Sequence, residues 1–252
     1  MVLRIYLAGE LCVEVDGRRI RADRFSGRQG RLAFAVLAIE HDRPISRGEL
    51  MGIVWPRAAP AAVEVALSAI VSKLRSLLAG FGDDRASVTS AAGCYQLRLP
   101  PSTWIDIEAA TQGVHDAEAA LRSGLHAGAY GPAVVANAIL RRPFLPGDDG
   151  PWIESRRRAL LEGRLRALDC LAAIHFWNRE PTLALRAAEE SVQLEPYRES
   201  GYRRLMMIHD RAGNRAESVR VFERLRALLA ADLGVEPALE TQALFERVAS
   251  SK

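Results

Sequence analysis

The hydrophobic period changes three times along this chain, and the order of those changes limits the folds open to it. Leu3, Ile5 and Leu7 alternate with Arg4 and Tyr6, as in a half-buried strand. After Gly9, Leu11, Val13 and Val15 alternate again as far as Asp16-Gly17. That pair tolerates positive φ at both positions and marks a hairpin, with 18–21 as the returning strand. From Gly30 to about residue 40 the pattern turns helical through Leu32, Val36, Leu37 and Ile39, until Pro44 breaks it. Ser46 then reads as an N-cap with Glu49 completing a capping box, for a helix running to about Trp55 and stopped by Pro56. Over 61–79, Val63, Leu67, Ile70, Val71, Leu74, Leu77 and Leu78 recur as one buried stripe, ended by Gly80 and Gly82. Residues 87–99 return to alternation as a hairpin around Ala91-Ala92-Gly93, and Pro100-Pro101 closes the unit.

Strands, three helices and a terminal hairpin in about a hundred residues is the order of a response-regulator type winged helix. In such a unit the third helix is the candidate for the major groove and the hairpin is the wing. From 102 onward strand signals vanish. Amphipathic segments cover 105–122, 131–140, 152–178, 182–194, 198–212 and 215–233. They are separated by breaks at 124–128, 143–151, Glu180-Pro181, Pro196, Gly213 and 234–237. Laying 165–198 over 199–232 sets Leu168 on Tyr202, Ala184 on Ser218 and Ala188 on Phe222, which follows tetratricopeptide spacing. The expected fold is mixed: an α+β winged helix over 1–101, then an all-α tetratricopeptide-like array over 102–252. Such arrays present a concave surface to partners.

Composition excludes several classes. Of 252 residues 49% are hydrophobic and 26% charged, and mean hydropathy is −0.03, an ordinary globular balance. No apolar run approaches the roughly 18 residues of a membrane span, and Arg4 and Glu10 interrupt any secretory core at the N-terminus. Cys12, Cys94 and Cys170 are widely spaced, which fits a reducing cytoplasm and small buried side chains rather than disulfides or a zinc site. The net charge is only +3, yet residues 1–99 carry 14 basic and 10 acidic groups while 100–252 carry 20 and 21. One half suits phosphates and the other protein. No catalytic constellation is present: the five histidines occur singly, with no H-E-x-x-H, G-x-S-x-G or G-x-G-x-x-G. Neither a metal site nor a cofactor is expected.

The chain resembles the Streptomyces antibiotic regulatory protein family of transcriptional activators over nearly its whole length. The residues that carry the resemblance are Ser46-Arg47-Gly48-Glu49-Leu50 through Val54-Trp55-Pro56, Ser72-Lys73-Leu74-Arg75, and Gly93-Cys94-Tyr95-Gln96-Leu97. Pro151-Trp152 with Arg156 to Leu161 follows, then the run from Gly213-Asn214-Arg215 to Gly234-Val235-Glu236-Pro237. The resemblance implies a sequence-specific binder of double-stranded promoter DNA that sits on direct repeats and contacts RNA polymerase, including its sigma factor. A homodimer on DNA is compatible with such repeats. Larger members add an NTPase or a phosphopeptide-binding domain; no G-x-x-x-x-G-K-[ST] loop occurs in these residues. A small family member and a piece of a larger regulator both fit the length. In the wing Cys94 precedes Tyr95, and Gln96 stands where the family has arginine, leaving Arg98 or Arg85 to supply positive charge.

Reading DNA requires donors at base edges and cations at phosphates. Ser68, Ser72, Lys73 and Arg75 lie away from the leucine stripe of 61–79. Lys73 is the only lysine before Lys252 and can donate to guanine O6 and N7; Arg75 can meet guanine or phosphate. Val65 and Ala69 leave that face poor in charge, so DNA shape shares in specificity. Arg28 and Arg31 open the first long helix and Arg47 the second, where free N–H groups and guanidinium together hold a phosphate. Trp55 and Trp152 read as packing residues. Arg156-Arg157-Arg158 diverge around a helix, with Glu154 and Glu162 as expected partners. The competing reading is a tetratricopeptide-like adaptor, or a ligand-sensing regulator, whose winged helix does not bind DNA.

Overall fold

The alternation near the N-terminus resolves, in a computed structural model describing residues 2–81 and 86–250, into β1 (Leu3–Tyr6), β2 (Cys12–Val15) and β3 (Arg18–Arg21). They form an antiparallel meander in which Leu3, Ile5, Val13 and Val15 face inward and are buried. Asp16 and Gly17 both adopt positive φ, as a two-residue type I′ hairpin requires. A 3₁₀ turn at Ala22–Arg24 leads into α1 (Gly27–Ile39). Phe34 on α1 is fully buried, with its ring centroid 5.0 Å from that of Phe25. A two-residue strand β4 (Ile45–Ser46) precedes α2 (Arg47–Val54), where the Ser46 hydroxyl accepts the Glu49 N–H at 3.1 Å, the expected cap. Next come α3 (Val63–Ala79) and the hairpin β5 (Ser87–Ala91) and β6 (Cys94–Arg98), turning at Ala92 and Gly93 with positive φ.

A strand that the sequence pattern does not announce follows. β7 (Trp104–Ile105) adds parallel to β1, so the first sheet runs β3-β2-β1-β7 and the second β4-β6-β5. Two residues are too short to show alternation. Their place is fixed by Ile105 burial, by Trp104 edge-on to Tyr6 at 5.4 Å, and by Asp106. The fully buried Asp106 carboxylate accepts the N–H groups of Leu7 (2.9 Å), Ala8 (3.0 Å) and Ile107 (2.8 Å). Burial pushes its pKa above the usual carboxylate value, against the opposing pull of those bonds.

The remainder is helical: α4 (Asp106–Arg122), α5 (His126–Leu140), α6 (Pro151–Trp177), α7 (Pro181–Leu194), α8 (Glu199–Arg211), α9 (Arg215–Leu233) and α10 (Leu239–Ser250). The chain packs as two compact units, 1–109 with 139–161 and 110–138 with 162–252. This division follows contacts rather than chain order, so 139–161 groups with the winged helix instead of with the helices around it in sequence. Within the second unit the superposed repeat positions Leu168, Tyr202, Ala184, Ser218, Ala188 and Phe222 are all buried in one core. Ser218 is accommodated there because its hydroxyl donates to the Met206 carbonyl at 3.0 Å. At Gly201 an added Cβ would lie 2.9 Å from the Val192 side chain, so the α7–α8 crossing requires glycine. Cys170 is buried and unpaired, its thiol pushed up to about 11 by burial.

One ion pair of this unit sets a pH dependence. Arg166 makes two short bonds, 2.7 and 2.6 Å, to the Glu118 carboxylate and holds its pKa below the ordinary value. A lowered folded pKa stabilises above the unfolded value, and that stabilisation disappears as pH falls through the folded one. The stability gap between the wild type and Glu118→Gln is therefore expected to be widest near neutrality and to close on acidification. Urea unfolding across the acidic range checks this; a gap independent of pH would refute it.

Candidate nucleic-acid interface

α3 turns its apolar stripe inward: Leu67, Ile70, Val71, Leu74 and Leu78 are buried. Val65, Ser68, Ala69, Ser72, Lys73 and Ser76 are exposed on the other side. Lys73 has no ion pair among the described residues. Its ammonium and the Ser68 and Ser72 hydroxyls are donors, while the Ser76 hydroxyl donates to the Ser72 carbonyl at 3.1 Å. The Val65 side chain, 70% exposed, offers an apolar surface of the kind that meets a thymine methyl group.

The wing is fastened to this helix by a residue that the sequence pattern places on the DNA-facing side. Arg75 Nε donates to the Val88 carbonyl at 2.7 Å and Nη2 to the Ser90 hydroxyl at 3.1 Å. Its guanidinium thus sets the distance between α3 and β5. Arg47 occupies the junction of α2, wing and α3. Its N–H donates to the Gly93 carbonyl, its guanidinium lies 5.3 Å from the Tyr95 ring centroid, and Glu64 is 3.8 Å away. Gln96, in the place of the family's arginine, donates to the His41 carbonyl at 2.9 Å and fixes the base of the wing. Arg98, at the end of β6 opposite Ser87, is exposed with no ion pair among the described residues. Arg85 lies outside those residues.

Arg28 and Arg31 turn toward acidic partners far away in sequence. Arg31 grips the buried Asp148 carboxylate through Nε at 3.0 Å and Nη2 at 2.8 Å, and this bonding raises its own pKa further. Arg28 Nη2 donates to the Asp149 backbone and side-chain oxygens. Two members of the basic triplet join the same arrangement. Arg157 donates to the carbonyls of Phe144, Leu145 and Asp148 and pairs with Glu154 at 2.7 Å. Arg156 pairs with Glu40 and lies over the Trp152 ring. Glu162, expected to hold the triplet, instead meets Arg198 at 3.2 Å. Arg28, Arg31 and Arg156 tie residues 144–157 to α1 and its C-cap residue Glu40, while Arg157 closes residues 144–154 on themselves.

The cations left exposed with neither an ion pair nor a side-chain hydrogen bond, among the described residues of 1–99, are Arg18, Arg21, Arg24, Arg57, Lys73 and Arg98. The sequence reading names two of them, Lys73 and Arg98. Nothing local in the sequence separates Arg18 from Arg28; only the fold shows which one has a carboxylate beside it.

Among the described residues no helix is long and apolar enough to cross a membrane, and no group of three or more His, Cys, Asp or Glu is placed to hold a metal ion. A response-regulator type winged helix with an exposed third helix and wing, followed by a helical array, defines the class of winged-helix transcriptional regulators. Residues 105–249 match the bacterial transcriptional activator domain, and the chain belongs to that family, the Streptomyces antibiotic regulatory protein type of regulator. It is 27% identical over 251 residues to the transcriptional regulatory protein EmbR of Mycobacterium tuberculosis, covering 96% of this chain and 62% of EmbR. It is 27% identical over 227 residues to the regulatory protein AfsR of Streptomyces coelicolor, covering 87% of this chain and 22% of AfsR. The structure of Mycobacterium tuberculosis EmbR in complex with a low affinity phosphopeptide superposes with a TM-score of 0.85, at 26% identity over 98% of this chain and 65% of that one. The chain thus spans about three fifths of the length of the EmbR relatives it matches.

Proposed function

We propose that the protein is a sequence-specific DNA-binding activator that sits on direct repeats in promoter DNA and engages RNA polymerase, including its sigma factor, through its helical array. The observation that carries this reading is the exposed face of α3, with Lys73 unpaired among the described residues and the wing held beside it by Arg75. In this reading Ser68, Ser72 and Lys73 meet base edges. Arg98 and Arg47 meet the backbone at the wing and at the start of α2. Arg75, Arg28 and Arg31 act through the shape of the unit. Two protomers on adjacent repeats require half-sites about 10–11 base pairs apart.

A gel-shift titration on promoter fragments, repeated across salt, tests the reading. Engagement of 6–10 phosphates lowers affinity by about 10³–10⁵ between roughly 50 and 200 mM salt. Lys73→Ala is expected to weaken binding to the preferred site by about 1–3 kcal/mol and to relax preference at one position. Absence of duplex binding at low salt would favour the adaptor reading.

A further inference from the structure

Beside the C-terminal turn of α3 lies a cleft of about 480 Å³, walled on one side by Ser76, Leu77, Gly80 and Phe81 and on the other by the run from Arg18 to Arg24. Among the described residues, four arginines line it, with Asp23 as the only acidic residue. Glu14 holds Arg19 at 2.6 Å. Arg18, Arg21 and Arg24 are exposed and carry no ion pair among the described residues. They sit on β3, the outer strand of its sheet, and on the 3₁₀ turn that follows, so no neighbouring strand covers them.

We infer that Arg18, Arg21 and Arg24 form a ledge that grips the phosphodiester backbone where it flanks the major groove at the C-terminal end of α3. The inference rests on the proposed DNA-binding reading and extends it to a surface outside the helix and wing.

Three observations converge on it. α3 is 17 residues, about 26 Å of helix, whereas the major groove is about 12 Å wide. A helix that lays Val65 to Lys73 against base edges therefore carries its last turns onto the flanking backbone. Ser76 belongs both to the exposed face of α3 and to the wall of the cleft, so the two surfaces are continuous. The arginines at the start of α1 are held by Asp148 and Asp149, and Arg75 by the wing, so phosphate neutralisation falls to the cations that remain unpaired. Each guanidinium offers a planar fork of donors suited to a phosphate oxygen pair.

The test is a salt titration of duplex binding by the full chain, comparing the wild type with the triple variant Arg18→Gln, Arg21→Gln and Arg24→Gln. Each lost phosphate contact flattens the slope of log affinity against log salt by about 0.9, so a reduction of about 2–3 is expected. Preferred and scrambled duplexes should weaken by the same factor, because backbone contacts carry no sequence information. The triple lysine variant keeps the charges and should keep the wild-type slope, which separates lost contacts from lost folding. A wild type that binds no duplex overturns the DNA-binding reading and this inference together. A wild type that binds, with the glutamine variant showing an unchanged slope, overturns the inference alone. The arginines would then serve only to keep the outer strand from pairing with a second copy, or to meet an acidic protein, and self-association or partner loss would accompany the unchanged slope.

Discussion

Asp106→Ala is expected to lower the stability of the first unit by about 3 kcal/mol or more, since three buried N–H groups lose their acceptor at once. Two of those donors, Leu7 and Ala8, lie almost a hundred residues away, so the loss frees the end of β1 from β7 and α4 together. Asparagine is a sharp control. Its amide oxygen can accept from Leu7 and Ile107, but its NH₂ group then meets the N–H of Ala8, donor against donor. Asp106→Asn should therefore be less damaging than alanine and still clearly destabilised. Urea unfolding measures both, and a loss below about 1 kcal/mol for alanine would show that water satisfies these groups instead.

Arg31→Ala is expected to cost about 3–5 kcal/mol, because it strands a buried carboxylate whose nearest remaining cation, Arg28 Nε, is 3.9 Å away. Replacing both partners with apolar residues of similar size should recover most of that loss, since a buried pair contributes little beyond its own desolvation. The same variant separates two roles for a residue at the start of α1. If Arg31 holds phosphate, the folded protein loses DNA affinity. If it holds Asp148, affinity per folded molecule stays within a few-fold while the unfolding midpoint drops. The geometry predicts the second outcome, read by unfolding and gel shift on the same preparation.

The elements that local chemistry dictates were legible. Asp16-Gly17 forces its hairpin, Ser46 caps α2, and the seven apolar residues of 61–79 define one helix face. Where the sequence pattern misleads, tertiary contacts have overridden it. Residues 124–128 read as a break, with the helical pattern resuming at 131, yet α5 begins at His126. Ala129, Ala133 and Ala136 are buried there, and Gly113 approaches α5 so closely that a Cβ would lie 3.0 Å from the Pro132 carbonyl. α10 lies past the Gly234–Pro237 break with a stripe of only Thr241, Leu244 and Val248; the stacking of Phe245 on Phe222 holds it.

The basic residues divide the same way. The sequence by itself determined the winged-helix order, the helical array, the family, and the placing of Lys73 on the outer side of α3. Each of these follows from periodicity and turn chemistry within some twenty residues, or from motif order along the chain. The tertiary structure decided which arginines are occupied. Arg31 meets Asp148 across 117 positions, Arg28 meets Asp149 across 121 and Arg156 meets Glu40 across 116, while Arg18, Arg21 and Arg24 meet no carboxylate among the described residues. A guanidinium is the same group wherever it occurs in a sequence. What it does depends on whether folding brings an anion within about 4 Å, and no local pattern encodes that distance.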